Sequence, residues 1–283
     1  MRNKLKSMKS KILSLLTIVL VILLHTLKLY SSNDNSPQGA RSAALGNASV
    51  TFADFWAIQN NQAGLADFKN IAAGFYYENR FLLKELSLKS VAFVLPTKSG
   101  TFGININYFG FNLYNESKIG LAYAKSFGKY FSAGIQLDYL TTSIGEDYGS
   151  KSVVTFEFGL RSQLNENLCI AAHVFNPIRV KIASYDDERI PTIFKLGLSY
   201  TFSKNIIAVI ETEKDINYKA VVKAGLEYQI IKEASVRIGI TTNPCIYTFG
   251  FGLILKKFKI DFASSIHQVL GYSPQISLIY IIK

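Results

Sequence analysis

The sequence predicts an all-β protein, a single transmembrane antiparallel β-barrel of about 14 strands with an N-terminal luminal plug segment. Three observations predict it. Apolar and polar residues alternate with a period of two through most of the chain after residue 69, as in strands with one lipid-facing and one inward face. Most of these stretches have roughly the ten residues that a tilted strand needs to cross a bilayer. The segments between them alternate between short and longer ones.

Residues 1–31 are predicted to be a signal peptide. A basic start, MRNKLKSMKSK, precedes an apolar core at 12–24, which with roughly 13 residues is short for a membrane span. A single N-terminal anchor helix is the alternative. The formal net charge is +11, but residues 1–32 hold six Lys or Arg and no acidic residue, which leaves +5 for the rest. That excess is spread along the chain, so we expect no nucleic acid as a partner. The predicted barrel implies outer-membrane lipid as a partner.

The next segment, residues 32–69, is predicted to plug the barrel lumen. About eight strands is the size at which inward side chains just fill a barrel, so a wider barrel needs a filler or leaves a pore. The segment is rich in small residues, holds the only tryptophan and shows a short helical pattern near 54–60. Arg41 and Asp54 are expected to meet inward charges of opposite sign, whereas an ordinary periplasmic tail is the alternative. The candidate plug residues are Gly39, Arg41, Gly46, Asp54, Trp56, Asn61 and Gly64.

Residues 70–283 form the predicted outer-membrane barrel. The clearest alternation is at 219–241, where two stretches with a short polar link predict a hairpin. The polar parity is predicted to face the lumen and the apolar parity to face lipid. Fourteen strand patterns follow one another: 70–81, 85–95, 100–112, 116–127, 130–142, 151–163, 167–175, 192–203, 205–213, 218–230, 233–242, 245–256, 257–266 and 274–282.

The connections favour a membrane barrel over a soluble β-sandwich. Every second connection is short, whereas the others include the longer ones at 143–150, 176–191 and 267–273. Short turns at one end and longer loops at the other are typical of outer-membrane barrels. A sandwich has no reason to sort its connections in this way. An even strand number also returns both ends of the barrel sequence to one side.

The inward face of the predicted barrel is charged. Folding of the hairpins is expected to bring Glu227 next to Arg237 and Glu213 next to Lys219, and such cross-strand pairs contribute about 0.2–1 kcal/mol each. A structural ionic lattice is favoured over a substrate site as the role of these charges. The candidate luminal charges are Glu157, Arg161, Lys195, Glu213, Lys219, Lys223, Glu227, Arg237 and Asp261, with Asp138, Glu211 and Lys259 on the same parity.

No arrangement typical of an enzyme is found in the sequence. His173 and His267 are isolated from acidic residues at catalytic spacing, and the Gly-x-Gly at 250–252 precedes no helix, unlike a phosphate loop. Cys169 and Cys245 are expected on different strands, as packing residues rather than as a disulfide or metal pair. The sequence therefore predicts a protein that is not an enzyme and needs no cofactor or metal.

Several short blocks resemble a known family: GARSAALGNA at 39–48, FAD at 52–54, NNQAGLA at 60–66, AGLEY at 224–228, VRIG at 236–239, FGFG at 249–252 and KIDFA at 259–263. They are similar to PorV/PorQ-type outer-membrane proteins, which are relatives of the long-chain fatty-acid transporter (FadL-type) barrels. The resemblance extends over residues 39–283. The chain departs from the family pattern at Gln62, where the family has proline, and at Lys283, where barrels often end on an aromatic residue.

The resemblance implies an N-terminal segment folded into the lumen and a link to type IX-like protein secretion. The main functional expectation is therefore a non-enzymatic secretion component of the outer membrane that docks machinery proteins. A FadL-type conduit for a hydrophobic small molecule and a purely structural barrel are the alternatives. An apolar luminal pocket beside the N-terminal segment would favour the conduit. A lumen filled by charged pairs, with an exposed patch on one loop, would favour the secretion role.

Overall fold

The computed structural model describes residues 35–145, 149–182 and 188–282. Within these ranges the chain forms a closed barrel of fourteen antiparallel strands, in which the first strand pairs with the last. The strands are β1 (Ala72–Asn79), β2 (Ser87–Pro96), β3 (Thr101–Phe111), β4 (Tyr114–Phe127), β5 (Phe131–Ile144), β6 (Gly149–Gln163), β7 (Leu168–Phe175), β8 (Ile193–Ser203), β9 (Ile206–Asp215), β10 (Val221–Ile231), β11 (Ala234–Thr241), β12 (Ile246–Leu255), β13 (Phe258–His267) and β14 (Gly271–Ile281).

The helical elements are short. Two α-helices precede the barrel strands, α1 (Ala40–Ala44) and α2 (Ala57–Asn60), and a 3₁₀ segment follows at Gln62–Asp67. Two further 3₁₀ turns, Arg80–Leu82 and Lys84–Leu86, connect β1 to β2. Among the described residues, no helix is long and apolar enough to span a membrane.

The predicted all-β class, strand count and antiparallel order are confirmed over the described part of the chain. Each strand overlaps its predicted range, and strand ends differ from the prediction by at most three residues. The predicted signal peptide lies outside the described residues, as do parts of two predicted long connections, 146–148 and 183–187.

The connections divide into two rims. The short-connection rim contains 97–100, 128–130, 164–167, 204–205, 232–233 and 256–257, each of two to four residues. The long-connection rim contains the other seven, including 80–86 and 176–192. The β3–β4 turn at 112–113 is the exception on the long-connection rim, with only two residues.

The outward face of the barrel is apolar. Leu226 on β10 lies opposite Ile238 on β11, which in turn lies opposite Phe249 on β12, and all three side chains are exposed. Phe251 and Phe262 stack beside them with ring centroids 5.0 Å apart. Of the side chains predicted to point outward, Phe156 is half-buried and the rest are exposed: Phe158, Leu196, Leu198, Leu226, Val236, Ile238, Phe249 and Phe251. Such a belt suits contact with hydrocarbon.

A charge placed on this belt should destabilise the barrel in lipid. We expect Leu226→Arg to lower the free energy of unfolding by about 2–4 kcal/mol, the range for an arginine at mid-bilayer. Urea titration of the refolded protein in phospholipid vesicles measures this loss. Leu164→Arg is the matched control, since Leu164 is equally apolar and exposed but lies in a connection. Equal losses for the two variants would contradict the assignment of this face to lipid.

Candidate functional site

Residues 35–66 lie against the inward faces of the strands and are almost entirely buried. Their backbone amides donate to side chains from distant strands. The N–H of Ala40 donates to Ser277 Oγ at 3.2 Å, and the N–H of Gly46 donates to Thr248 Oγ1 at 2.9 Å. The helices α1 and α2 are only five and four residues long, so some backbone N–H groups outside them bond to side chains of the wall, while others bond to carbonyls within the segment.

Glycines on the barrel wall make room for this segment. A Cβ atom added to Gly225 would lie 2.7 Å from the Leu45 backbone oxygen, and one added to Gly239 would lie 2.2 Å from the Gly46 nitrogen. Gly225 and Gly239 are directly opposite each other on β10 and β11. The backbone at residues 44–46 therefore packs directly against the wall, and a larger side chain at Gly225 or Gly239 would displace this backbone.

The glycines of the N-terminal motif are also required by geometry. Gly39 and Gly46 have φ angles of +93° and +69°, a region that side chains with a Cβ rarely adopt. Gly64 packs so closely that an added Cβ would lie 2.2 Å from the Phe52 oxygen. Asn61 donates from Nδ2 to the Val50 oxygen at 2.8 Å. Backbone conformation and close packing therefore account for these residues of the N-terminal motif.

The first ionic cluster joins the N-terminal segment to β10, β11 and β13. Arg41 binds the Glu227 carboxylate with two hydrogen bonds, of 2.8 Å from Nε and 2.7 Å from Nη2, and it binds Asp54 at 3.0 Å. Arg237 contacts the same Glu227 at 2.5 Å and Asp261 at 2.7 Å. Paired guanidinium and carboxylate groups of this kind are among the stronger hydrogen bonds in proteins.

The charge of Arg41 is stabilised by its partners. Burial by itself would lower the pKa of the Arg41 guanidinium, but the carboxylates of Glu227 and Asp54 outweigh that effect and raise the pKa above its ordinary value. Arg41 also lies over the Phe52 ring, with its guanidinium carbon 4.2 Å from the ring centroid. Arg41 therefore stays charged and links the segment to the wall.

The second ionic cluster lies on β4 to β7. Lys118 contacts the carboxylate of Glu157, and its Nζ lies 3.6 Å from Asp138 Oδ1. The other Glu157 oxygen lies 2.8 Å from His173 Nε2 and accepts a 2.8 Å hydrogen bond from Gln62 on the N-terminal segment. Gln62, which replaces the proline of the resembling family, therefore has a specific partner in the wall.

Two members of this cluster were missed from the sequence. The prediction that His173 is isolated is wrong, because the β6–β7 pairing puts His173 beside Glu157. Lys118 shares the inward parity of Gly120 and Ala122 on β4, opposite to Ile119 and Leu121. That alternation could have identified Lys118 as a luminal charge.

The third ionic cluster lies on β8 to β10. Lys223 Nζ is 2.7 Å from Glu213 and 3.3 Å from Glu211, and Lys195 Nζ is 3.7 Å from Glu213. Glu211 also accepts hydrogen bonds of 2.8 Å from the backbone N–H groups of Ser49 and Val50. One carboxylate thus serves both the wall and the N-terminal segment.

The expected pairing of Glu213 with Lys219 is wrong. Glu213 lies opposite Val221, and Lys219 is exposed in the connection before β10. The β9–β10 connection runs from 216 to 220 instead of from 214 to 217, so the register is displaced by two residues, and Glu213 pairs with Lys223, which lies opposite Glu211. Lys259, also expected inward, is half-buried near the short-connection rim.

Arg161 forms a separate contact nearer the short-connection rim. Its Nε donates to the Thr51 oxygen at 2.8 Å, and its Nη1 lies 2.6 Å from Asp67 Oδ2. Thr51 and Asp67 both belong to the N-terminal segment. Cys169 is buried next to the Thr51 oxygen, and Cys245 lies just before β12 rather than in a strand.

An apolar sector lies beside the ionic clusters in the lumen, and its central residues are Phe55, Trp56, Ile58 and Leu65. Phe55 and Trp56 meet edge-to-face at 5.1 Å, and Trp56 lies 5.8 Å from the Tyr76 ring on β1. The wall of this sector consists mostly of small or apolar side chains from β1, β2, β4 and β14: Ala72, Tyr76, Ala92, Val94, Ala122, Ala124 and Ile279. The lumen is therefore divided into a charged sector and an apolar sector.

Comparisons with known proteins agree on the fold. No protein-family model and no curated protein matches the chain. The CymD monoaromatic hydrocarbon channel has a TM-score of 0.68 at 13% identity, over 89% of this chain and 99% of that one. The toluene transporter TbuX of Ralstonia pickettii has a TM-score of 0.62 at 12% identity, over 88% and 98%. A FadL homologue of Pseudomonas aeruginosa has a TM-score of 0.63 at 11% identity, over 86% and 98%. At these identities the likeness establishes the fold alone.

The Glu227–Arg237 contact should give non-additive effects on stability. Either Glu227→Ala or Arg237→Ala leaves a buried charge without this partner, and loss of one partner from a buried pair costs roughly 3–5 kcal/mol. The double variant should lose less than the sum of the two by about 1–3 kcal/mol. Urea unfolding in detergent measures the four proteins of the cycle.

The control cycle uses Glu213→Ala and Lys219→Ala, two charges that the sequence alone would pair and the structure separates. Their effects should add. A coupling as large as that of Glu227 and Arg237 would contradict the observed register.

Proposed function

We propose that the protein is an outer-membrane conduit for an uncharged hydrophobic small molecule. The observation that supports this proposal is the apolar sector, in which apolar side chains of the N-terminal segment pack against an apolar part of the wall next to the ionic clusters. Its wall includes Ala72, Ala92, Ala122 and Ala124, so displacement of the Phe55 and Trp56 rings would open space for a flat molecule of about their size. Apolar contact with few polar groups is the usual basis of binding for such ligands.

The proposed conduit is closed by its own N-terminal segment, which acts as the plug. Phe55 and Trp56 fill the apolar sector, and the ionic clusters hold the remainder of the segment against the wall. Passage requires these two rings to move aside while the charged contacts keep the segment in the barrel. The charged sector then positions the plug, and the apolar sector forms the path.

The fold neighbours support this choice of ligand class. CymD is described as a monoaromatic hydrocarbon channel and TbuX as a toluene transporter. Both have the same barrel fold as this chain. We therefore take a monoaromatic hydrocarbon as the first test ligand, with the outer membrane as the location and the predicted signal peptide as the means of export.

A second candidate function is the secretion role suggested by the PorV/PorQ resemblance. Four exposed apolar side chains on two neighbouring long connections favour it: Leu82, Leu83, Val269 and Leu270. Such a surface suits a protein partner. The filled charged sector agrees with a barrel that transports nothing. The two functions differ in whether a small apolar molecule reaches Trp56.

Bromobenzene should reach the apolar sector and quench the fluorescence of Trp56. Trp56 is the only tryptophan and is 1% exposed, so its emission reports this sector alone. Bromine quenches at contact, and we expect saturable quenching in the purified full-length protein. Ala92→Asp should abolish the quenching. An apolar ligand next to the new carboxylate would have to remove its hydration, and this costs free energy.

Ser132→Asp is the matched control, since Ser132 is also inward and buried but lies outside the apolar sector and opposite Arg161. It should leave the quenching intact. Heat-modifiable migration on gels verifies that each variant is a folded barrel. Absence of quenching in the wild-type protein, or equal quenching in the two variants, would reject the conduit and favour the secretion role.

Removal of the Arg41 contacts should loosen the plug. We expect Arg41→Ala to raise ion conductance in planar bilayers, because Glu227 and Asp54 lose their shared partner and the segment loses its link to β10. Arg179→Ala, which changes an exposed arginine on the long-connection rim, should leave conductance unchanged.

A disulfide tether tests whether movement of the segment causes this conductance. Ala44 and Ala263 pack in one cluster, and a Cys at each position should join the segment to β13. In an Arg41→Ala protein whose Cys169 and Cys245 are replaced by Ser, oxidation of the tether should restore low conductance and reduction should raise it again. High conductance in both redox states would show that residues 35–68 do not close the lumen.

A further inference from the structure

A cavity of about 420 Å³ lies outside the lumen, on the short-connection rim. It is lined by Leu255, Lys256, Lys257, Phe258 and Tyr280, where β12, β13 and β14 end. Neither the ionic clusters nor the apolar sector contains these residues. The cavity combines two kinds of surface, an apolar floor and a cationic edge.

The apolar floor faces away from the barrel axis. Phe258 lies opposite Leu255 across the β12–β13 turn and opposite Tyr280 on β14. The two rings are 5.0 Å apart with an angle of 35° between their planes. All three side chains are exposed and belong to the outward parity that forms the apolar belt. Aromatic residues at strand ends are typical of the boundary between hydrocarbon and headgroups.

The cationic edge is the turn itself. Lys256 has a φ of +55°, in the left-handed region, so the turn has a defined backbone conformation. The Lys257 oxygen accepts the N–H of Ile281 at 2.8 Å, and Lys257 Nζ donates to the Ile282 oxygen at 3.3 Å. Both lysines are exposed. Two exposed lysines thus line the cavity next to the apolar floor.

The entire short-connection rim has an excess of positive charge. Its connections hold six lysines and two acidic residues, Glu166 and Glu233. Five of the six connections contain at least one lysine: Lys98, Lys129, Lys204, Lys232, Lys256 and Lys257. All six lysines are exposed. Basic residues next to a membrane-spanning segment attract anionic lipids.

We propose that the cavity binds an anionic glycerophospholipid from the leaflet that meets this rim. Lys256 and Lys257 bind the phosphate of the headgroup, and Leu255, Phe258 and Tyr280 contact an acyl chain. A free phosphate would satisfy the lysines but leave the apolar floor uncovered, so the combined surface favours the lipid. The inference rests on the proposed membrane location and is independent of what passes through the lumen.

Native mass spectrometry of the full-length protein in a non-ionic detergent tests the inference. Phosphatidylglycerol should bind more tightly than phosphatidylcholine. Lys256→Gln with Lys257→Gln should weaken the binding of phosphatidylglycerol about tenfold, because each basic residue near an anionic headgroup adds to its attraction. Lys214→Gln with Lys219→Gln is the matched control, since it removes two exposed lysines from the other end of the barrel and should change nothing.

Two further measurements separate the lipid from a free phosphate. Phe258→Ala should weaken the binding of phosphatidylglycerol, and millimolar inorganic phosphate should not displace it. Equal affinity for the two lipids, equal effects of the two lysine variants, or displacement by inorganic phosphate would overturn the proposal. The glutamine variants should leave the quenching of Trp56 by bromobenzene unchanged, so failure of the lipid site and failure of the conduit give different results.

Discussion

Charges inside the barrel depend on partners of opposite sign, because a buried charge without one costs several kcal/mol. The strands cannot supply all of these partners. Glu227 is shared between Arg237 on β11 and Arg41 on the N-terminal segment, and Glu211 accepts hydrogen bonds from the backbone of Ser49 and Val50. Removal of the segment would therefore leave carboxylates and lysines of the wall incompletely satisfied. The barrel and residues 35–68 form one electrostatic unit.

The same requirement accounts for the division of the lumen. The ionic clusters extend from β4 to β13, whereas the apolar sector is lined mainly by β14, β1, β2 and part of β4. Binding of an apolar molecule next to paired charges is unfavourable, because the molecule would displace the partners or the water that these charges contact. Binding next to Phe55 and Trp56 would not displace partners of charged groups, since the wall side chains in their cluster are mostly alanine, valine and isoleucine. The proposed path for an uncharged ligand is therefore compatible with a segment that ionic contacts hold in place.

Much of the fold could be predicted from the sequence because strands of a membrane barrel have a simple pattern. Apolar side chains must alternate with inward ones along every strand, so both the strand count and the outward face could be derived from Leu226, Ile238 and Phe249 and their equivalents. Which residues of neighbouring strands lie opposite each other is harder to predict from the sequence. A change in the length of a connection changes which side chains meet. For this reason the sequence predicts Lys219 opposite Glu213, where the structure has Val221, and the ion pair of Glu213 is made by Lys223 instead.

The sequence by itself determined the all-β class, the alternation of inward and outward side chains, and the charged character of the lumen. Only the tertiary structure decided which charges meet, that His173 and Lys118 belong with Glu157, and that one sector is apolar. The reason is physical. Alternation is a local property, fixed by a period of two residues, whereas each luminal contact joins positions far apart in the chain, such as Arg41 and Glu227. Their distance depends on barrel closure, register and the course of the N-terminal segment together.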